Sequence, residues 1–430
     1  MVVRPRRGVR SPWLGCLALL VSTACGSSAV HSSNAGVLTS NEARGAAPSA
    51  ATGSTVAGLD QLGVDLWHLA AREGAGNVVV SPISVGLAFS MARAGVTANG
   101  AGLDAPLHFP AAGLDEAFDR LTTGVVTTSV PPSPAPPVVA SSPNPHAPPP
   151  PPVLAIANAL FVQQGTPVGR PFLSTLARYY GTGVRTVDFA RPSAREVLNA
   201  WVRAQTAGRI SKLFDNLDPT TKLVLANAVY LKAAWQDQFP AAATAPRAFT
   251  TADGRVVRPP TMREDELLRY ARGPGWQAVE LPYVGGLAMR VLLPDPGHDL
   301  ADTLTAATLR ALPAKFHDAD VNLELPRWRT NTSLNPLGLP GLSTAAAAAD
   351  FSGIAPRLVI SAAIHRAVIS VDEQGTEAAA VTGIAIATSG RVARQHLEFT
   401  VNRPFAYEII DTATDAPLFL GAVLDPTQNN

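Results

Sequence analysis

Apolar positions follow a helical period in the first part of the chain and strand-like patterns later. After residue 58 they recur every three or four residues, as in a helix with one buried face; these positions are Leu59, Leu62, Leu66 and Leu69. Ser81 followed by Pro82 is typical of an N-cap and a first helical position, so a second helix is predicted to begin there. We predict further helices at 171–180 and 194–205.

Short apolar runs bounded by glycine, proline and polar residues predict strands. They lie at 77–80, 154–162, 222–232, 279–282, 287–293, 321–326, 358–360, 367–371, 398–401, 405–410 and 418–424. Because helices come first, strands dominate later and βα units are not repeated, we predict an α+β fold with large mixed or antiparallel sheets.

The composition indicates a folded protein with a large core. Of the 430 residues, 47% are hydrophobic and 16% are charged, which is far from the composition of a disordered protein. The net charge of +1 gives no basis for binding nucleic acid or an acidic membrane. The sequence lacks the short motifs of serine hydrolases, zinc proteases and nucleotide-binding loops. We expect no enzymatic activity, although eight histidines leave a dispersed catalytic triad open.

Residues 1–24 have the pattern of a signal peptide. Four arginines precede a short apolar stretch at 13–21, and small residues surround Cys25. This resembles a bacterial lipoprotein signal, in which the cysteine is lipidated and becomes the new first residue. Ser22 departs from the aliphatic residue preferred at its position, so an ordinary secretory signal cleaved nearby is the alternative. Both forms predict secretion, and lipidated Cys25 would anchor the protein to the outer face of the bacterial membrane.

The use of cysteine agrees with a lipid anchor. The chain contains two cysteines, Cys16 in the predicted signal and Cys25. The mature domain would then hold no disulfide, despite export to an environment where disulfides persist. Residues 25–57 are mostly small and polar, which predicts a flexible tether with a root-mean-square reach of roughly 30 Å. The folded domain is predicted to cover 58–427.

A second low-complexity segment spans about 127–152 and is rich in proline. Proline at this density neither pairs in a sheet nor continues a helix, and it favours polyproline II. We interpret the segment as a solvated insertion in a surface loop, with a partner-binding spacer as the alternative.

The segment from Asp372 to Ala380 reads D-E-Q-G-T-E-A-A-A, and its last charge is Glu377. An uncharged stretch with several β-branched residues follows, up to a soft tip at Ser389 and Gly390. Small uncharged side chains suit a strand that enters the middle of a sheet, where a charge would remain unpaired. We therefore predict that this segment can insert between strands.

This pattern resembles the hinge and reactive loop of the serpins, protein inhibitors that trap serine and cysteine proteases. Further phrases similar to serpin sequences lie in the family order at 77–91, 198–202, 206–210, 223–235, 279–283, 349–354 and 417–423. The resemblance implies a single domain with a large central sheet, further β-sheets, surrounding helices and an exposed reactive loop at about 373–396. It also implies a monomer without a cofactor or a metal ion.

The resemblance assigns roles to individual residues. The hinge residues would be Glu373, Gly375, Thr376, Glu377, Ala378, Ala379 and Ala380. The polar cluster beneath the main sheet, called the shutter, would be Ser81, Ser84, Asn227 and His365. Such buried polar groups must satisfy one another's hydrogen bonds, and their network can be broken and remade as strands separate. Trp235 matches the residue at the top of the sheet, called the breach, with an ordinary core aromatic as the alternative.

The mechanism that the resemblance implies is suicide inhibition. A protease attacks the loop and forms an acyl-enzyme; the cleaved loop then inserts into the main sheet, carries the protease to the far pole and distorts its active site. One strand register points Thr376, Ala378 and Ala380 towards the core and Glu377 towards solvent. No residue of this chain is assigned a catalytic role, because the nucleophile belongs to the protease.

Two positions for the scissile bond are open. Family spacing counted from Gly375 places it between Ser389 and Gly390, whereas an exposed basic tip favours the bond between Arg391 and Val392. The second choice, which we favour, predicts trypsin-like serine proteases as partners, and the first predicts elastase- or subtilisin-like ones. The alternative function is a non-inhibitory serpin that acts as a binding protein or protease substrate, and a third is a passive surface adhesin.

Overall fold

The computed structural model describes residues 36–45, 49–74, 76–125, 152–376 and 397–428, which belong to one compact unit. The predicted signal peptide, Cys25, residues 126–151 of the proline-rich region and residues 377–396 lie outside this part of the chain. No helix among the described residues is long and apolar enough to cross a membrane.

The helices of the described ranges are α1 (Gly53–Arg72), α2 (Pro82–Arg93), α3 (Gly100–Leu107), α4 (Leu114–Thr123), α5 (Arg170–Thr175), α6 (Ala194–Gln205), α7 (Leu300–Thr303), α8 (Ala306–Lys315) and α9 (Leu342–Ala348). A π-helical turn at Leu176–Tyr180 extends α5. The helix predicted at 194–205 is confirmed with the same bounds. α2 begins as its sequence predicts, because the hydroxyl of Ser81 accepts a hydrogen bond from the Ser84 N–H at 3.4 Å.

The strands, numbered in chain order, are β1 (Gly36–Leu38), β2 (Val78–Val80), β3 (Val153–Gln163), β4 (Val184–Val187), β5 (Leu223–Ala234), β6 (Ala245–Pro246), β7 (Phe249–Thr250), β8 (Val256–Val257), β9 (Pro260–Gly273), β10 (Trp276–Pro282), β11 (Leu287–Pro294), β12 (His317–Pro326), β13 (Trp328–Leu334), β14 (Ile360–Asp372), β15 (Gly375–Thr376), β16 (Leu397–Thr400), β17 (Phe405–Asp411) and β18 (Ala416–Val423).

Two large sheets organise these strands. The first sheet has the order β1-β4-β3-β5-β15-β14-β13, and the second has the order β16-β12-β9-β10-β11-β17-β18-β2 with β6 on β9. β7 and β8 form a separate pair. β5 lies in the middle of the first sheet, and all of its residues except Lys232 are buried, as expected for a strand covered on both faces. Helices with large sheets of mixed strand direction confirm the predicted α+β fold.

Both faces of the first sheet are covered. α2 contacts β3 and β5 of the first sheet and β18 of the second, so it lies between them. On the opposite face, Leu198 and Val202 of α6 pack in a buried cluster with Phe161 of β3 and Val224 of β5. The part of the first sheet that contains these residues is therefore covered on both faces.

Several parts of the second half differ from the predicted strands, and β13 was not predicted. β14 is one continuous strand, whereas the sequence predicted short strands at 358–360 and 367–371. The polar residues between them are accommodated: His365 is bonded in the interior, and Arg366 donates to the side-chain oxygen of Asn331 at 3.2 Å. β9 was not predicted, because charged residues dominate its exposed positions and hide its apolar ones.

The predicted tether at 25–57 is wrong for the residues that the structure describes. β1 pairs antiparallel with β4 at the edge of the first sheet, and α1 begins at Gly53 with Thr55 and Val56 buried. Arg44 donates from Nε to the carboxylate of Asp119 at 2.8 Å. The small polar residues of this segment give it the composition of a linker. The backbone of β1 and the side chain of Arg44 nevertheless bind it to the domain. Residues 25–35 lie outside the described residues, and the tether stays a prediction there.

Candidate functional site

The first sheet contains a fork between β5 and β14. The two strands pair in parallel up to Val229 and Ala367 and do not pair with each other beyond this point. β15 occupies the space between them and is antiparallel to both. Thr376 lies opposite Ala233 on one side and opposite Val371 on the other. The start of the predicted inserting strand is therefore already inside the sheet.

Gly375 must be glycine at the entrance to the fork. Its φ angle is +141°, in a region that L-residues with a side chain rarely adopt. A Cβ atom built on Gly375 would lie 2.1 Å from the carbonyl oxygen of Ala233. The close approach of two backbones thus requires the absence of a side chain.

Three side chains connect the hinge to the top of the first sheet. Thr376 is fully buried, and its hydroxyl is 2.5 Å from the hydroxyl of Tyr283. Tyr283 stacks on Trp235 with a distance of 4.2 Å between ring centroids and an interplanar angle of 9°. The indole Nε1 of Trp235 donates to the backbone carbonyl of Asp372 at 2.9 Å. Trp235 therefore contacts the hinge directly and is more than a core aromatic.

Glu373 fastens the turn that leads into β15. Arg327 donates from Nε to the Glu373 carboxylate at 2.8 Å, and the hydroxyl of Thr244 donates to the same oxygen. Burial raises the pKa of Glu373, but the hydrogen bonds from Arg327 and Thr244 outweigh it and hold the pKa below its ordinary value. The backbone carbonyl of Glu373 also accepts from the Phe239 N–H at 3.0 Å. The hinge is thus held by an ionised carboxylate, one oxygen of which accepts from both Arg327 and Thr244.

The predicted shutter residues form one hydrogen-bonded cluster between α2 and the first sheet. Asn227 of β5 donates to the hydroxyl of Ser84 at 2.5 Å and also to the side-chain oxygen of Asn158 on β3. Asn158 in turn donates to the backbone carbonyl of Ser84 at 3.0 Å. His365 of β14 bonds through Nδ1 to the side-chain oxygen of Asn227, and its Nε2 accepts from the Ser81 N–H at 3.1 Å.

These partners require His365 to be neutral. Because Nε2 accepts a hydrogen bond from a backbone N–H, the ring proton resides on Nδ1, which donates a hydrogen bond to Asn227. A second proton on the ring would face the Ser81 N–H. Complete burial lowers the pKa of His365 to about 3. The hydrogen bond between His365 and Asn227 joins β14 to β5 two positions before the fork.

The structure brings together every predicted site residue that it describes. Glu373, Gly375, Thr376 and Trp235 meet at the fork, and the four shutter residues meet below it. Sequence reasoning missed Asn158, although an asparagine in an otherwise apolar strand was a usable signal. It also missed Arg327 and Thr244, for which the sequence offers no signal because both are remote from Glu373 along the chain.

Glu377, Ala378, Ala379, Ala380 and the two candidate bonds at Ser389–Gly390 and Arg391–Val392 lie outside the described residues, as does Cys25. The described chain stops in the first sheet at Thr376 and resumes at Leu397, where β16 pairs in parallel with β12 of the second sheet. The predicted reactive loop therefore connects the two sheets.

Comparison with known proteins agrees with this architecture. Residues 57–426 match the family described as serpin (serine protease inhibitor). The leukocyte elastase inhibitor of Bos taurus is 31% identical over 387 residues, which cover 84% of this chain and 97% of that protein. Iris of Ixodes ricinus is 32% identical over 372 residues, which cover 82% of this chain and 93% of that protein.

Solved structures share the fold. The native state of the thermophilic serpin tengpin has a TM-score of 0.72 at 23% identity, covering 86% of this chain and 94% of tengpin. Human thyroxine-binding globulin complexed with thyroxine has a TM-score of 0.73 at 24% identity, covering 88% of this chain and 100% of the globulin chain. Since the family match spans most of the sequence and relatives above 30% identity are matched over nearly their full length, the chain belongs to the serpin family.

Proposed function

We propose that this protein inhibits serine proteases by a suicide-substrate mechanism, in which cleavage of the reactive loop traps the acyl-enzyme and the loop inserts between β5 and β14. The observation that supports the proposal best is the position of β15, whose two residues already pair with both strands of the fork. The similarity to a leukocyte elastase inhibitor also favours inhibition. The chain itself would supply no catalytic group.

The register of β15 indicates what further insertion requires. If it continues, residue 377 comes to lie opposite Lys232 and Ser370, and residue 382 comes to lie between Asn227 and His365. Insertion would therefore replace the hydrogen bond between Asn227 and His365 with bonds to a new strand. Because side chains alternate, residues 378 and 380 would share the buried face of Thr376. Glu377 would take the opposite face, beside Lys232.

The reactive bond is proposed between Arg391 and Val392, with Ser389–Gly390 as the alternative. Arginine suits the acidic pocket of a trypsin-like protease, whereas a small residue suits an elastase- or subtilisin-like one. The released C-terminal peptide would begin at Val392 in the first case and at Gly390 in the second.

The test uses the compact unit from Asn34 onward, which retains β1, with trypsin, an elastase and a subtilisin. Denaturing gels should show a covalent complex containing both proteins, and mass spectrometry of the released peptide gives its first residue. Thr376→Arg should convert the inhibitor into a substrate, because a charge would replace a fully buried hydroxyl; Thr376→Ser keeps that hydroxyl and should remain an inhibitor. Clean cleavage without a complex, at any protease ratio, would instead indicate a non-inhibitory serpin.

We further propose that the protein is exported and anchored through lipidated Cys25, on the basis of the signal-like sequence of residues 1–25. Cys25→Ser should abolish the incorporation of a labelled fatty acid in bacterial cells. Cys16→Ser is the matched control, because this cysteine lies inside the predicted signal, and it should leave labelling intact. Equal labelling of both variants would refute the anchor.

A further inference from the structure

A pocket of about 830 Å³ opens beside the hinge, between the start of β13, the end of β14 and residues 258–260 at the start of β9. Three arginines line it: Arg258, Arg327 and Arg329. Exposed Pro260 supplies apolar surface, whereas Trp328 and Val371 are 3% and 1% exposed and present little side-chain surface to it. We call it the arginine pocket. This volume is in the range of pockets that bind small molecules.

The positive charge of the arginine pocket is only partly compensated. Arg327 is paired with Glu373, whereas the side chains of Arg258 and Arg329 form no hydrogen bond or ion pair with other residues of the described ranges. The carboxylate in the lining, Asp372, is already engaged, because it accepts the backbone N–H of Gln374 at 2.9 Å. Two guanidinium groups therefore share the pocket without a carboxylate partner in the described chain.

The backbone that carries these arginines is fixed. Arg327 donates its N–H to the carbonyl of Pro260 at 2.9 Å, which joins the segment of Arg258 to the start of β13. Arg329 lies within β13, opposite Ser370 of β14. Guanidinium groups on a rigid frame recognise oxyanions well, because their paired N–H donors match two acceptor oxygens.

From this arrangement we propose that the arginine pocket binds a small organic anion that carries at least two oxyanion groups, of the polycarboxylate or phosphate ester class. Arg258 and Arg329, which are both exposed, would hold the oxyanions, and Pro260 would contact the body of the ligand. The inference goes beyond protease inhibition and does not depend on it, since the arginines that carry it belong to the described residues.

Calorimetric titration of the full chain with citrate and with pyrophosphate, at constant ionic strength, tests the site. We expect saturable binding of one anion per protein. Arg258→Ala and Arg329→Ala should each weaken binding at least about tenfold, since each removes charge-assisted hydrogen bonds. The matched control is Arg72→Ala at the exposed end of α1, outside the pocket, which should bind as the parent does. Binding of citrate alone assigns a polycarboxylate ligand, and binding of pyrophosphate alone assigns a phosphate ester.

A variant that binds the anion more tightly provides a second test, because misfolding would weaken binding and would not strengthen it. Asp372→Asn removes the competing negative charge from the lining while its side-chain oxygen can still accept the Gln374 N–H. This variant should bind the anion several-fold more tightly. The proposal is overturned if neither anion binds to the folded protein, or if both arginine variants bind as tightly as Arg72→Ala.

Discussion

The neutral state of His365 makes stability depend on pH in a defined direction. Burial lowers the pKa of His365 to about 3, against an ordinary value of 6.5. In the unfolded chain the ring is protonated below pH 6.5, whereas in the folded protein it stays neutral until the pH approaches 3. Its contribution to the free energy of unfolding is therefore complete above pH 6.5 and is lost as the pH falls through this window, by about 1.4 kcal/mol per unit.

Two pH units below the ordinary pKa, the loss from this one residue should be about 2.8 kcal/mol. The matched variant is His365→Gln, which does not titrate but offers an oxygen to the Ser81 N–H and an amide donor to Asn227. Urea unfolding of both proteins between about pH 7.5 and pH 4.5 gives the two profiles. The difference between them isolates His365, because other titrating groups contribute equally to both.

Parallel pH profiles for the two proteins would contradict the assignment of a neutral, buried imidazole. A smaller stability of His365→Gln at every pH would not, because it reports only imperfect packing of the glutamine. The informative quantity is the difference in the free energy of unfolding between the two proteins, followed as the pH changes. Its slope should approach about 1.4 kcal/mol per pH unit, which corresponds to one proton taken up by His365 on unfolding.

Three further predictions concern other parts of the fold. Burial and the charge of Glu408 raise the pKa of Asp60 to about 8. The contribution of Asp60 to the free energy of unfolding is therefore lost as the pH rises from about 4 to 8. Because asparagine does not titrate, Asp60→Asn should raise the melting temperature at pH 8 more than at pH 4. Gly375→Ala should cost about 1–3 kcal/mol in urea unfolding through strain at the fork, whereas Gly53→Ala, in open space, should not. Arg44→Ala should cost about 1–3 kcal/mol by the same measurement, because buried Asp119 loses its ion pair with Arg44. Equal stability would show that this ion pair does not help to hold residues 36–45 on the domain.

Much of the fold could be predicted because its central elements have simple patterns. The apolar run of β5 and the N-cap pair at Ser81 and Pro82 each determine local structure within a few residues. Glu373, Gly375 and Thr376 were assigned to the hinge by resemblance to the serpins, and the structure places these three residues at the fork. These patterns depend on residues that are close together along the chain, so they can be recognised in the sequence alone.

The remaining features depend on contacts between distant segments. Arg327 and Thr244 hold Glu373, yet nothing in their own neighbourhoods marks them as partners of the hinge. β1 is a strand only because β4 offers a free edge, and its small residues otherwise resemble a linker. β9 was missed because its exposed charged residues outweigh the buried ones in any local window. Each of these cases is decided by tertiary pairing, which overrides composition.

The parallel pairing of β5 and β14 has a consequence for stoichiometry. Two parallel neighbours can accept a single strand between them that is antiparallel to both, and β15 already has this direction. A second added strand would have to lie parallel to one of its neighbours, which is the slightly weaker arrangement. The fork thus favours one added strand, and that strand runs antiparallel to both β5 and β14. Any extended peptide of matching direction and small side chains would compete for it with the protein's own loop.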